Sequence, residues 1–360
     1  MNSDTFYMAR ALQLATRGRY TTDPNPRVGC VLVKEGVIIG EGWHVQAGCA
    51  HAEVVALQSV TEAQGATAYV TLEPCSHQGK TPPCCEALIR AGIRRVVAAM
   101  QDPNPLVAGR GFSRLEQAGI EVTVGVLQVE AHALNRGFIK RMTEQRPFVR
   151  SKLAMSLDGR TALASGESQW ITSASARADV HRLRAESSAI LTGIHTVLAD
   201  DPALNARVDF DVVQPMRVVL DSQLQMPLTA QMASLQGRSL ILTGSEDYLK
   251  QEALRAVGFE VYLLPLKKGR LDLHAVMCFL ATQHVNEVWV EAGATLNGAL
   301  LAAGLIDELV VYMAASVLGD QGRGLFQLPE VLTMADKKRF KWHDVRQVGE
   351  DLRLTMTPLI

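Results

Sequence analysis

An α/β architecture in two domains is the fold class this sequence predicts, on three observations. Short apolar runs rich in Val, Ile and Leu alternate with segments of helical periodicity along the whole chain, which places helices on the faces of sheets. The 360 residues exceed what one small core usually organises, at about 100–200 residues per domain. A polar, basic stretch from Asn135 to Pro147 interrupts the alternation, and the boundary is placed there, near Gln145.

The first domain opens with a helix capped by Ser3 or Asp4, whose Phe6, Tyr7, Ala11, Leu12, Leu14 and Ala15 fall on one face. Val28–Val33 and Val37–Gly42 form a hairpin around Lys34-Glu35-Gly36. A helix from His51, a strand at Ala68–Leu72, a helix at Cys84–Ala91, a strand at Arg95–Met100, a helix at Phe112–Ala118 and a strand at Glu121–Val124 complete it. In the second domain the strands are Phe148–Ala154, Ala189–Thr192, Arg217–Leu220, Ser239–Thr243, Glu260–Leu264 and Glu287–Glu291. Helices fall around Ser173–Arg184, Asp247–Val257, Asp272–Ala281 and Thr295–Ala303. Leu309–Met313, Phe340–Val348 and Leu352–Met356 close the chain as antiparallel strands, and no internal repeat relates the two halves.

Charge and cysteine usage narrow the function. Thirty-six Lys plus Arg against 37 Asp plus Glu give a net charge of −1. Split at Gln145, the halves carry 14 basic with 13 acidic and 22 basic with 24 acidic residues, so neither conceals a nucleic-acid footprint. The start lacks a basic segment followed by an apolar one, and the longest apolar run, Leu309 to Leu318, is short of the ~20 residues of a membrane helix. A cytoplasmic protein without membrane contact is expected. Of six cysteines, Cys30, Cys49, Cys75, Cys84 and Cys85 crowd the first quarter and only Cys278 lies beyond, a pattern of metal binding or catalysis more than of a disulfide scaffold.

His51-Ala-Glu53 at a helix start, then Pro74-Cys75 and Cys84, is the strongest constellation. One imidazole and two thiolates suit Zn2+, and a catalytic zinc keeps its fourth position for water. Glu53, two residues from His51, does not share its direction, so one side chain can address the metal while the other handles the water's proton. Cys75 and Cys84 are expected at or just before helix N-termini, where the thiolate is favoured. Cys85 is a rival to Cys84, and a structural zinc site with a fourth ligand from His44, His77, Cys49 or Cys85 is the alternative use of the same residues. Cys30, Cys49 and Cys278 read as ordinary thiols.

The His-x-Glu and Pro-Cys pattern resembles the zinc-dependent cytidine and nucleobase deaminases, with eight residues, Ser76 to Pro83, between the cysteines instead of two. Cys75-Ser-His-Gln-Gly-Lys-Thr-Pro-Pro-Cys84, with Asn25-Pro-Arg-Val-Gly29 and His44, is similar to the deaminase domain of the riboflavin-pathway diaminohydroxyphosphoribosylaminopyrimidine deaminases. That resemblance implies a cytidine-deaminase-like α/β/α domain over residues 1–145, with His51, Cys75 and Cys84 on zinc and Glu53 catalytic. It places Asn25, His44, His77 and Lys80 at the substrate.

In the second half, Val290-Glu-Ala-Gly293-Ala-Thr-Leu-Asn-Gly298-Ala299 follows a strand and opens a helix, a place where backbone amides can receive a pyrophosphate. It matches neither the Gly-x-Gly-x-x-Gly nor the Walker A pattern. Lys152-Leu-Ala-Met-Ser-Leu-Asp-Gly-Arg160, Ser165-Gly-Glu-Ser168-Gln-Trp170 and Thr196-Val-Leu-Ala-Asp200-Asp-Pro-x-Leu204 resemble the reductase domain of the same pathway, whose fold is dihydrofolate-reductase-like. The resemblance implies an NADPH-dependent reductase domain over 146–360. Ala154, Trp170, Thr196, Asp200, Ser222 and Gly293, Ala294, Thr295, Leu296, Asn297, Gly298 and Ala299 would bind the cofactor. Lys152, Ser168, Arg184, Leu204, Arg207 and Glu291 would hold a small phosphorylated pyrimidine, and the family expectation is a homodimer or higher homo-oligomer. The order, deaminase before reductase, is that of the bifunctional bacterial riboflavin enzyme. A nucleic-acid or free-nucleoside deaminase with a nucleotide-binding accessory domain is the alternative, disfavoured by balanced charge and 5% aromatic content. A zinc-stabilised binding protein without turnover is the rival from outside enzymology.

Overall fold

The computed structural model describes residues 3–76, 83–105 and 107–359. The chain divides into two compact units, Met1–Gln145 and Arg146–Ile360.

In the first unit, β1 (Gly29–Lys34), β2 (Val37–Trp43), β3 (Thr67–Val70), β4 (Arg95–Ala98) and β5 (Glu121–Val124) form a sheet of order β2-β1-β3-β4-β5. β1 runs antiparallel to β2 and β3, while β3, β4 and β5 are parallel. Because successive side chains of a strand face opposite ways, Cys30 and Leu32 pack with α2 (Ala52–Gln58) and α3 (Cys84–Arg90), and Val31 and Val33 pack with α1 (Ser3–Ala15). The result is an α/β/α layering. Close helix approach depends on glycine: a β-carbon at Gly29 would stand 2.0 Å from the Ala11 carbonyl oxygen, and at Gly42 2.4 Å from that of Ala52. Helix α4 (Arg110–Gln117) packs on the α2/α3 side through Leu115.

The polar stretch after Asn135 is helical as far as Glu144. After α5 (Gln128–Leu134), α6 (Arg136–Glu144) buries Gly137, Phe138 and part of Lys140, and stops at Gln145 in the left-handed region, φ 55°. Its apolar stripe is narrow, one or two residues per turn in a composition that is otherwise charged.

The second unit contains β6 (Phe148–Ser156), β7 (Arg160–Ala162), α7 (Ala174–Ala185), β8 (Ala189–Gly193), α8 (Ile194–Asp200), β9 (Met216–Leu220), β10 (Ser239–Thr243), α9 (Tyr248–Ala256) and β11 (Glu260–Leu263). The small hairpin of β12 (Leu266–Lys267) and β13 (Arg270–Leu271) follows, then α10 (Leu273–Thr282), β14 (Glu287–Glu291), α11 (Ala294–Ala302), β15 (Glu308–Ala314), β16 (Arg323–Gly324), β17 (Arg339–Val348) and β18 (Asp351–Leu359). Among the described residues the main sheet has nine strands in the order β11-β10-β9-β8-β14-β6-β15-β18-β17. From β11 to β15 every pairing is parallel, and the closing pairs β15–β18 and β18–β17 are antiparallel. The parallel strands read as continuous apolar runs because both faces are covered. Ile190, Val219, Ile241 and Trp289 fill one core, and Leu191, Val218, Leu240 and Val288 the other. Parallel strands align their C-terminal ends along one edge, where ligands of open α/β sheets bind.

Candidate active sites

His51 is the residue that caps α2, with extended backbone (φ −73°, ψ 161°), while Glu53 lies inside the first turn. This difference separates the two side chains despite their nearness in sequence. His51 Nδ1 stands 3.1 Å from Cys84 Sγ and 3.6 Å from Cys75 Sγ. The three donor atoms lie within 4.8 Å of one another, a spacing and a nitrogen–sulfur set that fit one zinc ion. Cys84 is the first residue of α3 and donates its backbone N–H to Cys75 Sγ at 3.3 Å. Cys75 does not open a helix of its own; it follows β3 in a loop and borrows the amide that opens α3. Hydrogen bonds from Cys84 and from His51 bring the Cys75 thiol down to about 4, although burial opposes this. Cys85 turns away, its thiol donating to the Pro74 carbonyl at 3.1 Å in the core.

Glu53 is 3% exposed, and burial pushes its carboxyl up to about 7, a value suited to passing a proton both ways near neutrality. Asn25 and His44 stand at the same place: the His44 and His51 rings meet edge to face at 5.5 Å, and Asn25 Nδ2 is 3.1 Å from His44 Nε2. His44 Nδ1 lies 3.1 Å from the Ala50 carbonyl, which can only accept. That assigns the proton to Nδ1, makes Nε2 the acceptor of the Asn25 amide hydrogen, and leaves the Asn25 carbonyl oxygen to face elsewhere. Burial lowers the His44 imidazole below its ordinary range, in keeping with a neutral ring. His77 and Lys80 lie outside the described residues.

Sequence reasoning missed Glu73. Its buried carboxylate accepts the amides of Asp102 (3.1 Å), Gly109 (3.0 Å) and Gly111 (2.8 Å), so it caps α4, whose own Gly109 cap has no side chain to offer. Gly111 in turn lies against Pro74, where a β-carbon would stand 2.1 Å from the carbonyl oxygen. The segment bearing Cys75 is thereby joined to α4. A charged residue at the end of an apolar strand, just before Pro74-Cys75, was the available signal.

In the second unit Arg184 and Glu291 form a two-pronged pair, Nε to Oε1 at 2.5 Å and Nη2 to Oε2 at 2.8 Å. The third Arg184 nitrogen, Nη1, donates to the Asn205 carbonyl at 3.0 Å, and Trp289 Nε1 donates to Glu291 Oε1 at 2.8 Å. Lys152 is the register partner of Glu291 on the adjacent strand. Burial alone would raise the Glu291 carboxyl, but the charge and hydrogen bonds of Arg184, then Lys152, hold it at about 2. Burial lowers Lys152, with Glu291 resisting and Arg184 adding to the fall. Arg207 donates from Nη1 to Asn205 Oδ1 and from its backbone N–H to His181 Nδ1, both at 3.1 Å. Burial and the Arg184 and Arg207 charges bring His181 down to about 4, which suits a neutral acceptor. Lys152, Arg184, Arg207 and Glu291 are thus one cluster; His181 and Asn205, which the sequence did not single out, tie it together. Leu204 is buried in the core with a strained φ of 44°, so a ligand there would meet its backbone. Ser168 and Trp170 lie between β7 and α7, with Trp170 69% exposed beneath the Arg177 guanidinium at 4.5 Å.

Ala154 is half-buried on β6, Thr196 and Asp200 stand four apart on α8, and Ser222 follows β9. The Gly293–Ala299 segment divides. At Gly293, which caps α11, a β-carbon would meet nothing within 4 Å, leaving the first amides open to an anion. Thr295 is exposed and donates to Gln327 Oε1. Asn297 is fully buried, donating to the Ala292 carbonyl at 2.6 Å and accepting from Ser151 Oγ at 2.6 Å, and Gly298 closes against Gln327. No helix among the described residues is long and apolar enough to cross a membrane.

A zinc cradle with a buried glutamate in an α/β/α unit, followed by a largely parallel sheet with an open helix start at its ligand edge, defines a deaminase joined to a reductase. Residues 1–100 match the cytidine and deoxycytidylate deaminase zinc-binding region, and residues 147–354 match the RibD C-terminal domain. The riboflavin biosynthesis protein RibD of Escherichia coli is 54% identical over 98% of both chains, and that of Haemophilus influenzae 50% identical over 99% of this chain and 98% of its own. Acinetobacter baumannii RibD superposes with a TM-score of 0.94 at 46% identity over 99% of both chains. A Thermotoga maritima deaminase/reductase superposes at 0.87 with 34% identity and the same coverage. The chain belongs to the RibD family, the bifunctional deaminases and reductases of riboflavin biosynthesis. A nucleic-acid or free-nucleoside deaminase with an accessory domain is not favoured.

Proposed function

We propose that the chain performs two consecutive steps on one phosphorylated pyrimidine. The first unit deaminates 2,5-diamino-6-ribosylamino-4(3H)-pyrimidinone 5′-phosphate, and the second reduces 5-amino-6-(5-phosphoribosylamino)uracil to the ribitylamino compound with NADPH. The observation that carries this reading is the convergence of His51, Cys75 and Cys84 beside the buried Glu53.

Bound to those three side chains, zinc supplies the Lewis acidity that makes water a nucleophile near neutral pH. Glu53 takes a proton from the attacking water and returns it to the departing amine, so a C–O bond forms, a C–N bond breaks and ammonia leaves. Burial raises its carboxyl above the usual carboxylate range, which favours its carrying that proton from the water to the amine. The Asn25 carbonyl, turned by the contact of its amide nitrogen with His44, receives ring N–H groups of the pyrimidine, and His77 and Lys80 belong to the same substrate-binding set.

In the second unit a bound NADPH would supply hydride to C1′ of the ring-opened imine, whose nitrogen takes a proton from solvent to give the ribitylamine. Ala154, Trp170, Thr196, Asp200, Ser222 and the 293–299 segment hold the cofactor, with the open Gly293 amides toward the pyrophosphate. Lys152, Ser168, Arg184, Leu204, Arg207 and Glu291 hold the substrate. Arg184 spends three of its five N–H donors on Glu291 and Asn205, so Arg207 supplies the fork for the phosphate with the remaining Arg184 N–H groups beside it. A cytoplasmic homodimer or higher homo-oligomer belongs to the same reading, supported by Trp342 and Val345, each 57% exposed on the edge strand β17. Glu53→Ala should keep zinc and lose ammonia release; unchanged ammonia release would sink the deaminase step. Deaminated substrate should then drive NADPH oxidation in the same variant, and no substrate-dependent loss of reduced-nicotinamide absorbance would defeat the reductase step.

A further inference from the structure

We infer that the β12–β13 hairpin selects NADPH over NADH, with Lys267, Lys268 and Arg270 gathering the 2′-phosphate of the adenosine ribose. The inference rests on the cofactor reading above and extends it to residues outside the segment that reading uses.

The hairpin is built to put cations together. Leu266 pairs with Leu271 and Lys267 with Arg270, and the two-residue connection Lys268-Gly269 has φ of 52° and 74°, the left-handed pair that a tight hairpin turn requires. Alternation along the strands assigns the two pairs to opposite faces. The leucine pair takes the other face: Leu271 is buried in the core, and Leu266, 46% exposed, lies over Gly244, where a β-carbon would stand 2.3 Å from Leu266 Cδ2. Lys267 and Arg270 therefore face outward, directly across from each other, and all three basic side chains are exposed. Like charges in opposed positions of a hairpin destabilise it. Among the described residues no carboxylate pairs with any of the three, and the adjacent Asp272 is spent capping α10, accepting the His274 amide at 2.9 Å. A fold that holds three cations together without an acid is poised for an external anion.

Position identifies the anion. Ser222, at the C-terminal end of β9, accepts the Leu271 N–H at 3.1 Å, which fixes the hairpin beside the ligand edge of the sheet and one residue from Arg270. Accepting with its oxygen, Ser222 keeps its own hydrogen to donate. The Gly244 amide reaches the Ser222 carbonyl at 3.3 Å, so the ends of β9 and β10 and the hairpin form one shelf. A dinucleotide whose pyrophosphate sits at α11 and whose adenosine reaches Ser222 presents its 2′-oxygen to that shelf. A phosphate there meets a hydroxyl donor and three cations; a 2′-hydroxyl gains nothing from them.

The test uses the full-length zinc-loaded protein and two probes that differ only in the 2′-phosphate, adenosine 2′,5′-bisphosphate and adenosine 5′-monophosphate, titrated by calorimetry. In the triple variant Lys267→Ala/Lys268→Ala/Arg270→Ala, affinity for the bisphosphate should fall by about tenfold or more, as for loss of charge-assisted contacts, with the monophosphate unchanged. The kcat/KM for NADPH should fall in parallel while that for NADH stays constant, and Arg270→Ala alone should give part of the effect. Equal loss for both probes, or a triple variant that still prefers the bisphosphate, overturns the inference. Wild-type protein that neither binds the bisphosphate nor oxidises NADPH overturns the cofactor reading instead.

Discussion

Replacing Glu291 by Gln removes a charge while keeping the shape, and the consequence follows from what surrounds it. The carboxylate is paired on both oxygens by Arg184, receives the Trp289 indole N–H and faces Lys152 across the strand register. Held at about 2 instead of 4.5, its carboxyl has a displacement worth about 3 kcal/mol at about 1.4 kcal/mol per unit. The folded value lies below the unfolded one, so this stability is present in full above about pH 5 and is lost as pH falls from there toward about 2. In Glu291→Gln at pH 7, two buried cations lose their counter-charge, a change that costs about 3–5 kcal/mol for a broken buried pair. For a unit of this size that is about 6–20 °C in its melting temperature. Thermal unfolding followed by calorimetry, at pH 7 and at intervals down to pH 3, reads both effects. The wild type should lose stability between pH 5 and 3 more steeply than the variant, narrowing the gap seen at pH 7. A variant that melts with the wild type at pH 7, or that loses stability in parallel with it on acidification, refutes the assignment of Glu291 as the counter-ion of this cluster.

Two further outcomes follow from the first unit. Cys84→Ser should lose most of its zinc and its ammonia release while still oxidising NADPH with deaminated substrate, whereas Cys85→Ser should keep one zinc per chain; metal analysis with both activities separates them. Glu73→Ala orphans three amides at about 1–3 kcal/mol each, so the unfolding transition of the first unit should drop by at least about 3 kcal/mol, with Glu73→Gln between it and wild type; an unshifted transition shows that Glu73 does not hold α4.

What the sequence disclosed depended on how far apart the interacting atoms lie along the chain. The alternation of strands and helices was legible because burial on two faces leaves continuous apolar runs in β8, β9, β10 and β14, and the His51-x-Glu53 pair because a cap residue and a first-turn residue point apart by local geometry alone. Cys84 and Cys85 could not be separated in that way. They are neighbours, and the choice is made by where α3 begins: its first residue faces Cys75, and its second is turned into the core toward Pro74.

Composition misled where a few contacts outweighed it. The charged run after Asn135 carries Phe138, buried on α6, and the glycine-bearing segment after Glu291 looks uniform although Asn297 and Gly298 are inside while Gly293 is open. Glu73 stood out only as a charge ending an apolar strand, and its role was hidden because its partners are backbone amides 29 to 38 residues away, which carry no side-chain signature. The Arg184–Glu291 pair was legible as two useful residues and not as a pair 107 residues apart. That pairing bears on how each side chain is held: Arg184 is fixed by Glu291 and the Asn205 carbonyl, and Arg207 by the Asn205 side chain and by a histidine whose protonation burial and the same cations disfavour.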